Sequence, residues 1–440
     1  MTVKPDIPRT PAEEEILKRF EDCDPRDALS SLRETAMETF ARTGLPHRRV
    51  EAYHYTDLKA LIRAVPPRGS QPADELAQAT MAGAPDWGAA KVNRLVLIDG
   101  HFVAGLSDAD ALGEGVGFIP LAKALSEKSV ILERVGTLPV AETDPELALN
   151  TAFMQDGAVL EIAPGAMVTT PIEILHLATG EVASFPRHLV LVGKGASVNL
   201  VETYSGPAET AYQVHATSEV EIGEGATVTF LKRQEDGSAA IHLSTTVVRL
   251  AEEARYHQTG FAIGASLARA QSFVTFAGTG AEATLDGAIL GRDRQHLDTT
   301  MVIDHAVPGC NSKEVIRAAI DDRAKGIFQG RIVVRPDAQQ TDGRMMSRAL
   351  LLSDGAEVDT KPELEIFADD VQCAHGATSG EIDEGMMFYL MSRGIPADEA
   401  ETMLIAAFLE EVVDAIDPEP LREALSARIE MWLGERRRPA

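Results

Sequence analysis

A four-residue corner recurs through the middle of the chain: APGA at 163–166, GKGA at 193–196, GEGA at 223–226 and GTGA at 278–281. The first two intervals are 30 residues each, and the step from Ala226 to Ala281 is 55, close to two intervals. Between about residues 155 and 373 the corners separate short runs rich in β-branched residues, such as VLEIA, HLVLVG, VTFLKR, TTVVRL and RIVVRP. A fixed period in strand-rich sequence is what stacked coils produce, and small residues at the corner let successive coils approach closely. The pattern therefore predicts a parallel β-helix or similar β-solenoid. A β-sandwich also repeats Gly-rich turns, but its Asn-Gly hairpin signal is absent here.

Helical periods flank this region. From Thr10 to about Ala64 the segments AEEEILKRF and DPRDALSSLRETAMETFARTG have Asp24 or Asp27 as caps and Gly44 as a stop, with Leu29, Leu32, Ala36, Phe40 and Ala41 on one stripe. Thr56 or Asp57 is placed to cap a short helix in HRRVEAYHYTDLKALIRA, and short apolar runs mix with helical pieces up to roughly residue 145. After Gly376, Asp383 opens and Gly394 closes one helix; Pro396 opens a second with Met403, Leu404, Ala407, Phe408 and Val412 on one face. A third spaces Leu421, Leu425, Ile429 and Leu433 one turn apart. Met386, Met387, Phe388 and Met391 fit either a small core or an adaptable contact surface.

Composition narrows the function classes. At 440 residues the length suggests about three folding units. Sixty-eight acidic against 41 basic residues give a formal charge of -27, which repels phosphate backbones, and the one dense basic run is the final ERRRP. Nucleic acid is not an expected partner. No window approaches 18 uncharged apolar residues and the N-terminus lacks a secretion signal, so neither a membrane nor export is expected and the location predicted is cytoplasmic. Three scattered cysteines, Cys23, Cys310 and Cys373, fit a reducing compartment. They are too few for an iron–sulfur cluster held by this chain alone.

The stretch VQCAHGATSG, 371–380, ends the last predicted coil. Residues two apart on a strand share a face, so Cys373 and His375 could reach one common ion. A thiolate and an imidazole suit Zn(II), Fe(II) or Cu(I), but a tetrahedral site needs two further ligands, so the pair is at best half a site. His305 and Cys310 form the other cysteine–histidine cluster of similar density. The alternative is a buried cysteine beside a histidine satisfied by a carbonyl. As nucleophile and base the pair is poorly placed, because neighbours on one strand rarely have the angle for proton transfer. No GxSxG, HExxH or GxxxxGK[ST] occurs, so nothing here cradles a triphosphate. Asp359, Glu363, Glu365, Asp369 and Asp370 could suggest acid–base chemistry on a solenoid surface, but Glu363 and Glu365 alternate with Leu364 and Ile366 as on a half-exposed strand.

The block from Lys325 to Ile395, KGIFQGRIVVRPDAQQTDGRMMSRALLLSDGAEVDTKPELEIFADDVQCAHGATSGEIDEGMMFYLMSRGI, closely resembles the D-type branch of the SufB/SufD family, which serves the SUF iron–sulfur cluster assembly machinery. VEAYHYTDL at 50–58 is similar to that family's aromatic N-terminal segment, with His54 standing in place of a lysine. The resemblance implies a right-handed parallel β-helix core flanked by α-helical domains, with boundaries at 1–145, 146–375 and 376–440. It implies a SufB-like paralogue joined through the solenoid and a SufC-like ATPase docked on the C-terminal helices; whether a homodimer forms where the paralogue is lacking is left open by the sequence.

On the same resemblance, His375, with Cys373 beside it, lies at the cluster-assembly interface and is a candidate metal ligand. Met386, Met387, Phe388, Met391, Met403 and Phe408 become candidates for ATPase docking. The expected chain is not an enzyme and holds no cofactor stably alone; iron or a cluster touches it transiently. The competing expectations are a self-contained β-helix enzyme of lyase or acyltransferase type, and an autonomous metal-binding protein.

Overall fold

Two long parallel sheets wind around a common core, each coil giving one strand to each sheet. The structure is a computed structural model that describes residues 8–22, 27–140 and 144–436; Cys23, the candidate cap Asp24 and most of the basic C-terminal run lie outside them. It is mainly β, a parallel solenoid of about 8 turns with helices at both ends. One sheet runs from His101–Phe102 and Asn93–Ile98 through Met167–Leu177 and Ser197–Ser205 to Asp342–Leu351 and Gln372–Gly380. The other runs from Val116–Pro120 and Ala158–Ile162 to Lys325–Val334 and Glu357–Ile366.

The repeated corner does what its composition requires. Gly165, Gly195, Gly225 and Gly280 have φ of 72, 66, 63 and 69°, a left-handed turn in which a side chain is strained. Gly195 and Gly225 donate their N–H to the carbonyls of Glu224 and Glu252 in the next coil, at 2.8 Å each. A Cβ on Gly223 would come within 2.8 Å of the Val192 carbonyl, which explains the first glycine of the motif. The final alanine of the corner is buried at Ala196, Ala226 and Ala281, and the same position recurs at Ala254, Cys310 and Thr341. The step of 55 therefore does contain a further corner, at Ala254, where Glu253 takes the left-handed conformation at φ 54° without a glycine.

Strict register stacks like residues into columns. Val168, Val198, Val228 and Tyr256 are successive neighbours on the inner face of the first sheet, and the column continues through Ala283, Ser312 and Gly343 to Cys373. The adjacent column runs Leu200, Phe230, Gln258, Leu285, Glu314, Met345, His375. The lumen also holds a satisfied polar group, in which Glu202 faces Lys232 at 3.6 Å and accepts from the Tyr204 hydroxyl at 2.8 Å.

The two ends differ. At the first coil His101–Phe102 and Val116–Pro120 pair antiparallel and close the stack. These strands, with Asn93–Ile98 paired parallel to Met167–Leu177, belong to the solenoid although they precede residue 146. Short apolar runs such as RLVLIDG carry that pairing, and helical pieces around them mask it in the sequence. At the far end Glu357–Ile366 and Gln372–Gly380 are the last strands of their sheets, and among the described residues no strand pairs with their outer edges.

Helices cover the sides. Helix Ser30–Thr43 ends at Gly44, whose N–H reaches the Phe40 carbonyl at 2.7 Å, and packs on helix Pro145–Phe153. Asp27 accepts from the Leu29 N–H at 2.9 Å, and Asp57 caps the short helix Leu58–Leu61 by accepting from Ala60. Helices Ala397–Val413 and Glu419–Glu435 lie on the outer face of the first sheet, joining Ile405, Leu409, Val412, Leu421, Leu425, Ile429 and Trp432 to Val201, Leu231, Phe261, Leu290 and Ala319. The spacing of the third helix is as expected. The second is rotated: Ala400, Ile405, Leu409, Val412 and Val413 are buried, whereas Met403 and Ala407 face outward. The stronger stripe for the sheet is the one made of Ile, Leu and Val, and the chain uses it.

The YHYT segment crosses the outer face of the second sheet. Arg269 sits 4.2 Å over the buried Tyr53 ring, whose hydroxyl donates to Asp144 at 2.7 Å. The Ala52 carbonyl accepts from Arg269 at 2.9 Å and Gln329 at 3.2 Å, Thr56 contacts His296 at 2.9 Å, and Glu51 pairs with Lys361. His54, by contrast, is exposed. Arg269 is paired with Asp298, and both side chains are 0% exposed. Truncating one member of such a pair strands the other's charge, so Asp298→Ala should destabilise the fold by about 3–5 kcal/mol, read as a lower midpoint in urea unfolding; an unchanged midpoint would show that the strap carries no stability.

Candidate functional site at the open end of the solenoid

Cys373 and His375 lie on the last strand of the first sheet with their side chains on the lumen-facing columns, as period two dictates. His375 is exposed, and Cys373 is half-buried and packs against the end of the main core. Burial pushes the Cys373 thiol up, as do the charges of Asp342 and Glu314, while the Gly343 backbone opposes them. Among the described residues no three His, Cys, Asp or Glu side chains are gathered closely enough to hold a metal ion.

His305 and Cys310 do not join this pair. His305 is fully buried, stacked 4.4 Å from Phe276 with Nε2 3.1 Å from Ser312 Oγ, and burial lowers it to about 4. Cys310 fills the alanine position of the repeated corner, its Sγ 3.4 Å from the Gly278 carbonyl. The acidic candidates are ion-paired on the outer face: Asp359 with Lys325 at 2.5 Å, Glu363 with Lys361 at 3.1 Å and Glu365 with Arg331 at 3.6 Å. Asp369 and Asp370 are exposed in the following turn.

Beneath the pair lie groups that the sequence reading passed over. Glu314 is 0% exposed, and desolvation pushes its pKa up to about 8, opposed by a hydrogen bond with the Ser312 side chain. Gly343 separates Ser312 from Cys373 in the column without a side chain between them. Aligning the coils on their corners would have revealed Ser312 and Glu314, which occupy inward positions held by Ala283 and Leu285 one coil earlier.

Helix Glu384–Ser392 follows the open strand at once, capped by Asp383, which accepts from the Met386 N–H at 2.8 Å. It buries no residue, and Phe388 is 75% exposed, with Met386, Tyr389, Met391 and, from the next helix, Met403 also open. Met387 is half-buried, and Phe408 packs against the core with Arg317 5.7 Å from its ring.

Cys373 should react slowly with iodoacetamide at neutral pH when it is the chain's sole cysteine, the rate rising with a midpoint above that of a free thiol. Asp342→Asn removes one of the negative charges and should move that midpoint down; an unmoved midpoint would rule out the electrostatic contribution of Asp342.

Comparison with known proteins agrees with this architecture. The SufBD core domain of SUF system FeS cluster assembly matches residues 175–408, and the SufBD N-terminal region matches 20–174. The chain is 30% identical over 404 residues to the iron–sulfur cluster assembly protein SufD of Escherichia coli, covering 89% of this chain and 90% of that protein. A SufBD family protein of Synechocystis is 30% identical over 404 residues, covering 88% and 87%, and SufD of Bacillus subtilis 28% over 331, covering 72% and 74%. The chain belongs to the SufBD family of the SUF iron–sulfur cluster assembly system.

Proposed function

We propose that the chain is a non-catalytic, cytoplasmic, D-type subunit that pairs with a SufB-like paralogue through its last coil and binds a SufC-like ATPase through its C-terminal helices. The observation that carries this is the open end: among the described residues no strand pairs with the outer edges of the two terminal strands, and one of them, Gln372–Gly380, presents Cys373 and His375 together. An exposed strand edge is a template for another chain's strand. Pairing there would put the partner's side chains next to a thiol and an imidazole that cannot close a site by themselves. Iron or a nascent cluster is then cargo shared across the interface.

The ATPase reading rests on the Glu384–Ser392 helix. An apolar, Met-rich face left open is an adaptable contact surface, and it adjoins the strand that bears the half-site. Closure of the ATPases on ATP would pull on these helices and reshape the interface one strand away.

Coexpression with SufB-like and SufC-like chains tests both parts. Phe388→Glu with Met391→Glu should abolish ATPase copurification while the paralogue is retained, because both side chains are exposed and not needed for folding. His375→Ala should leave the complex assembled and lower the cluster recovered by about tenfold or more. A purified chain that turns over a substrate alone, or cluster yield unchanged in His375→Ala, would refute the corresponding part.

A further inference from the structure

The outer face of the first sheet gathers positive charge in a chain whose formal charge is -27. Ala319 on Asn311–Ile320 and Leu350 on Asp342–Leu351 pack against the C-terminal helices. Lys313, Arg317, Arg344 and Arg348 stand an even number of positions before them and so point to the same side. The parallel register sets Lys313 beside Arg344 and Arg317 beside Arg348. Neighbouring strands are about 4.8 Å apart, and like charges side by side repel. The same columns hold Thr284 and Ala288 one coil earlier and Ala374 and Thr378 on the last strand, so the cations are confined to two strands.

Two of these charges are met within the chain. Arg317 donates to Glu411 at 3.0 Å, and Arg344 to Asp342 at 2.7 Å. Lys313 and Arg348 are exposed and form no salt bridge among the described residues. Their charges are felt at Glu411, whose carboxyl Arg317 holds below its ordinary range with Arg348 and Lys313 adding to the effect. Between the two pairs Met346, half-buried, lies over Gly376, where a Cβ would come within 2.8 Å of Met346 Cε. The result is a small apolar floor with cations on both sides. Helix Ala397–Val413 packs both on Asn311–Ile320 and on Glu384–Ser392, which puts the cations and the open Met-rich helix on one side of the molecule.

We propose that this cationic square receives a carboxylate-rich segment of the ATPase that docks on Glu384–Ser392, with acids meeting Lys313 and Arg348 and an apolar side chain resting on Met346. The inference rests on reading the C-terminal helices as the ATPase seat, and it adds the chemistry of the partner's segment. Complementary charge steers encounter and fixes register. The acidic remainder of the chain repels such a segment, so the square singles out where it lands. A chain that pairs with the edge of Gln372–Gly380 extends the sheet in its own plane, whereas these side chains project out of that plane on the side of the helices, which favours the helix-bound partner.

The complex coexpressed with SufB-like and SufC-like chains provides the test. Lys313→Glu with Arg348→Glu should weaken ATPase retention on the full-length chain by about tenfold or more while the paralogue stays bound. Wild-type retention should fall as salt is raised, and fall less steeply in Lys313→Gln with Arg348→Gln. The urea midpoint of the purified Gln variant should be unchanged or higher, because like charges are relieved; a lower midpoint assigns the cations to the fold and overturns the proposal. Loss of the paralogue in place of the ATPase, or ATPase retention indifferent to both variants, overturns it as well. If wild type itself does not hold the ATPase, the reading of the C-terminal helices falls with it. If Phe388→Glu with Met391→Glu releases the ATPase and the changes at Lys313 and Arg348 do not weaken it, only this inference falls.

Discussion

Every strand of a solenoid must satisfy its backbone on two sides, and that requirement governs this molecule. Within the stack each coil is both template and product of its neighbours, so hydrogen bonding, corner turns and inner columns repeat together. At the first coil short antiparallel strands end the repetition. At the last coil the described residues do not, and the unspent hydrogen-bonding capacity coincides with the strand that sets Cys373 and His375 two positions apart on the lumen-facing columns. The site is thus a by-product of where the stack stops.

The columns show how an interior changes character along one axis. Valines near the start give way to alanine, serine, glycine and cysteine, while the neighbouring column passes from leucine and phenylalanine to glutamate, methionine and histidine. Dispersion and burial hold the early coils together. Towards the open end packing is traded for donors and acceptors, and the wholly buried carboxyl of Glu314 marks how far that trade has gone.

Much of this was legible in the sequence. The corner tetrapeptides announced the coils because close backbone approach admits only small residues there, and the spacing of CAHG placed Cys373 and His375 on one face of the last strand. What escaped had physical reasons. Ala254 was hidden since Glu253 accepts a left-handed turn without glycine, and Cys310 was read as a possible ligand when it is the corner alanine's substitute. The second C-terminal helix offers two apolar stripes, and only the sheet beneath decides that Ile405, Leu409 and Val412 are the buried one. Ser312 and Glu314 look like ordinary alternation until the coils are stacked.

The strap of residues 51–56 has a bearing on how the chain is made. A solenoid can in principle fold coil by coil behind the ribosome, each layer settling on the last. Here Arg269, His296, Gln329 and Lys361, on four successive strands of one sheet, are all met by that early segment, and its partner at Lys361 lies 310 positions downstream of Glu51. Residues 51–56 must therefore wait until synthesis has passed Lys361 before the whole strap finds its seat. Once seated it acts as a splint along the late coils, so fraying at the open end has to work against contacts made by a segment synthesised long before it.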